Sequence, residues 1–353
     1  MRITFNLQGV GPADNGGTAT LFHSANVLHA LGHTVYVVSE QANRFSWFDL
    51  KGPEYIKTSG LTHMYPDAQV LIATGAFSVQ HVLNAPPARG AKFWWIRAHE
   101  TWAMAEKDVV SLYRQPFLHL IVNSEGLRRH VWKVAGREAA LIRPGLDPDV
   151  FYSFNANRNW EDRPLVLGAI FCDKPRKRFD WVVEIYEACK ARGLGVELHL
   201  FGTYDVAEIK RVKFQKYLYK PSANALRFFY NDVDIWLAPS KSEGLHIPPQ
   251  EAMLCECFMM GANDPLSGMS DYLKHGVTGL AFNYWSEAVN HIEGLYNDPS
   301  PMGAIAKAGR REVIGLGTRQ QNMQRLVDVL AKGEPVSVLR NRMTALRRRG
   351  VIR

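Results

Sequence analysis

The feature that most constrains this chain is an alternation of short apolar runs with helix-period segments, repeated in two series. In the first, residues 3–7 read as a strand and residues 18–31 as a helix with Leu21, Ala25 and Leu28 on one face. Gly32 and His33 stop that helix, and residues 34–39 form the next strand. Residues 70–73, 92–98 and 118–122 continue the strands, Ser124 caps a helix to about residue 134, and residues 140–143 precede the turn Pro144-Gly145. A polar, Asn-rich stretch over 153–163 reads as an interdomain linker. The second series places strands at 165–171, 196–201, 234–238 and 258–261 and helices at 179–192 and 223–230, with helical patterns dominating after Ser286. Strands alternating with helices give parallel sheets covered on both faces. The chain is therefore expected to be α/β, with two doubly wound Rossmann-like domains facing a cleft. Their expected limits are 1–152 and 164–316. Residues 317–353 would form a C-terminal helix, able to cross back to the first domain, and a basic tail.

The length of 353 residues suits two domains. No apolar run reaches 18 residues, and residues 1–9 read as a first strand rather than a signal peptide, so a cytoplasmic protein is expected, at most peripheral to the inner membrane face. Cys172, Cys189, Cys255 and Cys257 are too few and too irregular for a disulfide framework and read as free thiols. The net charge of +8 is concentrated at the end, where residues 333–353 hold six Arg against one Glu. A basic tail of this kind can touch acidic lipid, DNA or the protein's own surface.

Four constellations carry chemistry. The loop Gly9-Val-Gly-Pro-Ala-Asp-Asn-Gly-Gly-Thr18 joins the first strand to the first helix, where bare backbone amides and the helix N-terminus favour an anion. Lys174-Pro-Arg-Lys-Arg178 places four cations between a strand end and a helix start, against the helix dipole, which a bound phosphate would resolve. Glu243 and Glu251 stand eight positions apart across a strand–loop–helix turn, with Pro248 and Pro249 opening the helix. Such a pair can bind sugar hydroxyls, can be a glycosidase pair, or can hold no ligand. Finally, His99 follows a strand within Trp94-Trp-Ile-Arg-Ala-His-Glu-Thr-Trp102, whose aromatics read mainly as core.

Together these residues resemble the retaining nucleotide-sugar glycosyltransferases of family four, which have the GT-B fold. The resemblance spans roughly residues 1–300. Its strongest part is Ser240-Lys-Ser-Glu-Gly-Leu-His-Ile-Pro-Pro-Gln-Glu-Ala-Met253, which is similar to the family's E-x7-E signature. Asn15-Gly-Gly, Gly32-His-Thr-Val, Val122-Asn-Ser-Glu, Arg143-Pro-Gly-Leu-Asp147 and Met269-Ser-Asp-Tyr-Leu with Gly276-Val-Thr-Gly-Leu-Ala-Phe282 resemble its other segments. The resemblance implies that Gly16 and Gly17 present amides to the donor phosphate and that Lys177 holds the diphosphate. It implies that Glu251 binds the nucleotide ribose, and that Glu243 with the amides of Gly244, Leu245, His246 and Ile247 holds the sugar. His99 would lie near the transferred sugar.

Three positions depart from the family pattern. Phe171 stands where the family usually has an arginine, leaving Lys174, Arg176 or Arg178 to supply that charge. His246 replaces the second glycine of the usual loop, where it can narrow the sugar pocket or contact the sugar. Asp271 replaces a glutamate.

The expected activity is transfer of a hexosyl group, with retention, from a nucleotide diphosphate sugar to a hydroxyl of a glycan, lipid-linked sugar or small glycoside. UDP-sugar is the default donor. No cofactor is expected beyond this co-substrate, and no metal, because no aspartate–x–aspartate motif stands near a sugar site. Rival readings are the same chemistry on hydroxylated bases of DNA, a GT-B epimerase or phosphorylase, and a non-catalytic sugar-nucleotide-binding protein. The cluster Lys210-Arg211-Lys213-Lys216-Lys220 permits an acidic membrane surface as well as DNA.

Overall fold

The computed structural model describes residues 1–154, 158, 160, 163–210 and 212–333. They form two compact units, Met1–Pro144 with the segment from Arg319, and Gly145–Thr318. Unit 1 contains β1 (Arg2–Asn6), α1 (Gly16–Ala30), β2 (Thr34–Ser39), β3 (Glu54–Lys57), β4 (Val70–Ala73), α2 (Ala76–Asn84), β5 (Ala91–Ile96), α3 (Glu106–Tyr113), β6 (His119–Val122), α4 (Glu125–Ala135) and β7 (Ala140–Leu141). Its sheet runs β3-β2-β1-β4-β5-β6-β7, with all pairs parallel.

Alternate residues of these strands feed two cores. Phe5, Ile72 and Trp95 enter one, and Leu71, Ala73, Trp94 and Ile96 the other. That two-sided burial explains why the strands read as continuous apolar runs. Helix α1 starts where the Asn15 side chain accepts the Thr18 N–H and buries Leu21, Phe22, Ala25 and Leu28. Helix α4 starts at Ser124, which accepts the Leu127 N–H, and ends at Gly136 in the left-handed region.

Unit 2 repeats the scheme with β8 (Leu165–Phe171), α5 (Phe179–Ala191), β9 (Val196–Gly202), β10 (Lys216–Tyr219), α6 (Ala223–Asp232), β11 (Ile235–Ala238), α7 (Ile247–Leu254), β12 (Phe258–Ala262), β13 (Leu280–Phe282), α8 (Trp285–Asn297) and α9 (Met302–Gly315). Its parallel sheet runs β10-β9-β8-β11-β12-β13. Leu165, Leu167, Ile235, Leu237 and Met260 fill one core, while Val166, Trp236 and Met259 fill the other. Helix α10 (Arg319–Leu330) belongs to unit 1, where Met323, Leu326 and Leu330 join the core of Phe5 and Trp95.

Two boundaries differ from the expectation. The first unit ends at Pro144 rather than 152. The described part of the expected linker is packed onto unit 2. The Phe154 N–H donates to Asn231 Oδ1, and the Arg158 guanidinium donates to the carbonyls of Tyr230, Val233 and Cys255. Arg163 grips Asp234 through two hydrogen bonds of 2.7 Å. Polar composition read as a linker because its hydrogen-bonding partners lie far away in sequence. The basic tail over 334–353 and Arg211 lie outside the described residues. Among those described, no helix is long and apolar enough to cross a membrane.

Candidate active site

In a doubly wound sheet the ligand crevice lies outside the strand carboxyl ends where the strand order reverses. In unit 2 that point is the β8–β11 pair, so the segments 172–178 and 239–246 leave the sheet side by side. They are joined at once: the Lys241 N–H donates to the Arg176 carbonyl at 2.8 Å. Lys177 Nζ stands 2.5 Å from Glu243 Oε1, and Arg176 Nη1 stands 3.5 Å from the same oxygen. Glu243 is buried. Burial alone would raise its pKa, but Lys177, followed by His246 and Arg176, outweighs it and holds the carboxyl below the usual range. The site is thus an ionised carboxylate under two cations.

The loop carrying Glu243 is held from below. The Gly268 N–H donates to the Glu243 carbonyl at 2.8 Å, and Tyr272 Oη donates to the carbonyls of Leu245 and His246 at 3.2 and 3.0 Å. Gln250 Nε2 reaches the same two carbonyls at 3.3 Å. A Cβ at position 268 would lie 2.2 Å from the Gly244 oxygen, so only glycine permits this approach. Ser242 and His246 take φ values of 56° and 58°. Left-handed geometry at a non-glycine residue costs about 1–3 kcal/mol and persists where surrounding contacts fix it. His246 caps α7, and Pro248 and Pro249 fall in that helix's first turn as expected. Glu251 Oε2 accepts the Tyr230 hydroxyl at 2.9 Å.

The basic run before α5 is not itself the α-helix start. Pro175–Lys177 form a separate 3-10 turn, and Arg178 is left-handed with its guanidinium 4.3 Å from the Trp181 ring. Arg176 and Lys177 therefore face the Glu243 carboxylate, while Arg178 stacks on α5. Phe171, where an arginine is usual, packs edge-on against Phe179 and Tyr204, with ring centroids 4.8 and 5.5 Å away.

The aspartate–x–aspartate spacing does occur just ahead of the signature, in Asp232-Val-Asp234. Asp234 is committed to Arg163 and to the Val166 N–H, and Asp232 pairs with Lys216 at 2.6 Å. That pairing also takes Lys216 out of the expected surface basic cluster and places it on β10.

In unit 1, Gly16 and Gly17 are the exposed first residues of α1, and a Cβ on Gly16 would meet nothing within 4 Å. Beside them Arg97 donates from Nε and Nη2 to the Thr74 carbonyl, at 3.2 and 2.8 Å, and from Nη1 to the Gly17 carbonyl. His99 is buried, with Nδ1 3.1 Å from the Tyr113 hydroxyl and Nε2 3.8 Å from Glu106 Oε1. Burial lowers its pKa against the raising influence of Glu106, so the imidazole is neutral at pH 7. Trp94 and Trp95 are core residues, whereas Trp102 is 51 % exposed.

The sequence reading points to Lys177, Glu243 and Glu251 but assigns nothing to Arg97 or to the supports Gly268, Gln250 and Tyr272. Arg97, Gln250 and Tyr272 each lie in a segment singled out above, but without a role of their own, and Gly268 lies in none; holding carbonyls distant in sequence leaves no local signature.

Residues 162–298 match the family described as Glycosyl transferases group 1. No curated protein matches the chain. Among solved structures, Anabaena HepE in complex with UDP and glucose is 16 % identical, with a TM-score of 0.75 over 94 % of this chain and 100 % of that one. Sucrose-phosphate synthase from Thermosynechococcus elongatus is 15 % identical, with a TM-score of 0.72 over 94 % and 98 %. WaaG, a glycosyltransferase involved in lipopolysaccharide biosynthesis, is 14 % identical, with a TM-score of 0.68 over 94 % and 100 %. At these identities the likenesses speak to fold, and the family match to residues 162–298. Over residues 162–298 unit 2 is similar to the Glycosyl transferases group 1 family, and the chain has the GT-B fold.

Proposed function

We propose that the chain is a metal-independent, retaining hexosyltransferase acting on a UDP-sugar and an acceptor hydroxyl of a glycan, lipid-linked sugar or small glycoside. The observation that carries this reading is the buried Glu243 carboxylate under Lys177 and Arg176 at the β8–β11 reversal. A diphosphate is a better partner for two cations than a single carboxylate, so the donor would draw Lys177 and Arg176 onto its phosphates. Those cations then neutralise the leaving group, the task a metal ion performs elsewhere. Glu251, oriented by Tyr230, binds the ribose hydroxyls. Released from Lys177, Glu243 accepts hydrogen bonds from the sugar, and the amides of 244–247 complete its binding.

The acceptor oxygen forms a bond to the anomeric carbon on the face from which the phosphate oxygen departs. That phosphate oxygen takes the acceptor proton. The hydrogen-bonding contact of His99 Nδ1 with Tyr113 leaves Nε2 for a substrate hydroxyl, since 3.8 Å to Glu106 is too long for a hydrogen bond. Gly16 and Gly17 offer helix-terminal amides to the donor phosphate. HepE, of the same fold, has been solved with UDP and with UDP-glucose, which supports the choice of donor base.

The test is UDP release from UDP-glucose across an acceptor panel with and without EDTA, with the anomeric configuration of the product read by NMR. EDTA-insensitive release with an α-linked product is expected. An inverted product, or release abolished by EDTA, contradicts the proposal.

A further inference from the structure

His246 is the least explained residue of the loop. Its carbonyl is fixed by Tyr272 and Gln250, and its φ of 58° and ψ of 87° lie in the left-handed region, which glycine adopts freely and other residues uncommonly. The residue is 6 % exposed, yet neither ring nitrogen has a hydrogen-bonding partner. Buried polar atoms are rarely left so, because each loses water without a replacement. A glycine would serve the backbone without the strain and without two unsatisfied nitrogens. Among the described residues no hydrogen bond compensates for the ring.

The surroundings identify what would. The imidazole stands on the loop that carries Glu243, at the cap of α7, and the charges acting on it are those of Glu243, Lys177 and Arg176. Burial, reinforced by the two cations and opposed by Glu243, holds its pKa down at about 3. The ring is therefore neutral, with one N–H donor and one acceptor nitrogen. A hydroxyl group has the same dual character, whereas a diphosphate offers acceptors only.

We propose that His246 is a specificity-determining residue of the donor site, which hydrogen-bonds a hydroxyl of the transferred sugar through its ring. This assignment rests on the donor-site reading of the Lys177–Glu243 cluster. Lys177 is ion-paired with Glu243. A diphosphate that draws Lys177 away loosens the cluster enclosing the ring and admits the sugar beside it.

The test is calorimetric titration of the full chain, as wild type, His246→Gly and His246→Asn, with UDP and with UDP-glucose. His246→Gly is expected to leave UDP affinity within about twofold and to weaken UDP-glucose about tenfold, the loss of one hydrogen bond. Its Tm should not fall, because glycine suits the left-handed backbone. His246→Asn tolerates that backbone and keeps both a donor and an acceptor, so it should recover most of the UDP-glucose affinity. Equal weakening of UDP and UDP-glucose would overturn the sugar assignment in favour of a phosphate contact, and unchanged UDP-glucose affinity would overturn any ligand role. A wild-type chain that binds neither probe removes the donor site itself, a failure distinct from selective loss of the ring's contribution.

Discussion

Lys177 and Arg97 make the clearest comparison between the two units. Both follow the carboxyl end of a strand, in sheets that share the order 3-2-1-4-5-6 and differ by the added edge strand β7 of unit 1, and both are half-buried. Arg97 gives its donors to backbone carbonyls of Thr74 and Gly17, partners that belong to the fold and cannot be exchanged. Lys177 gives its charge to a carboxylate, a partner that a phosphate can replace. One cation fastens the end of β4 to the start of α1; the other is the one proposed to take a ligand. Position in the topology therefore locates a candidate site, and the exchangeability of a partner separates a cation tied to the fold from one available for the proposed binding.

The contrast is most exposed at Lys177. Lys177→Ala should lower kcat/KM for the UDP-sugar by about 10²–10³-fold, the usual loss on removing a charge-stabilising group. Arg97→Ala should instead unfold the protein more easily, by about 3 kcal/mol in urea titration, because three hydrogen bonds from a charged donor vanish. Its Tm drop should exceed that of Lys177→Ala, in which Arg176 still faces Glu243. The reverse ranking would break the comparison.

A second tier concerns Glu251. Glu251→Ala should weaken UDP binding about 10–100-fold, the range for a charged hydrogen bond, while Tyr230→Phe should weaken it less because the carboxylate remains. Binding of UDP to Glu251→Ala at wild-type affinity would remove the ribose role.

Acidification acts on both units at once. Burial, with Arg319 adding to it, holds His23 in unit 1 at about 3, and His246 in unit 2 also sits at about 3. Each is protonated in the unfolded chain below about pH 6.5 but neutral in the folded one. The unfolded state then binds more protons, so stability falls as pH drops from 6.5 towards 3. Glu243 acts in the same direction lower down, since its depressed folded pKa makes a contribution that is present above about pH 4.5 and lost as pH falls through the folded value. Urea midpoints should decline steadily below pH 6.5, and His246→Gly should show a shallower decline than wild type.

The smallest effect is at Gly16. With open space around its Cβ position, Gly16→Ala should raise stability by about 0.5–1 kcal/mol in urea titration. A few-fold loss of UDP affinity alongside that gain would mark the helix amides as phosphate contacts.

Much of this was legible in the sequence. The E-x7-E spacing with Pro248 and Pro249 located the loop and α7, and Lys177 was readable as a cation out of place beside a helix start. The central strands were visible because both faces are buried. Strands β3 and β10 were not, since each is an edge strand with a single neighbour and partly exposed residues, Glu54–Lys57 and Lys216–Tyr219, that lack an apolar run. Lys216 instead suggested a surface patch, because its partner Asp232 lies across the fold. The part played by Gly268 under Gly244 and the choice of Arg176 over Arg178 depend on contacts between segments distant in sequence. No local pattern encodes them.

The most direct measurement is calorimetric titration of UDP into wild type and Lys177→Ala, each in EDTA. Wild-type binding that persists in EDTA and weakens about 100-fold or more in the variant is the result expected of a cation whose carboxylate partner is exchanged for a diphosphate. Equal affinities in the two proteins, or wild-type binding that EDTA abolishes, would contradict it.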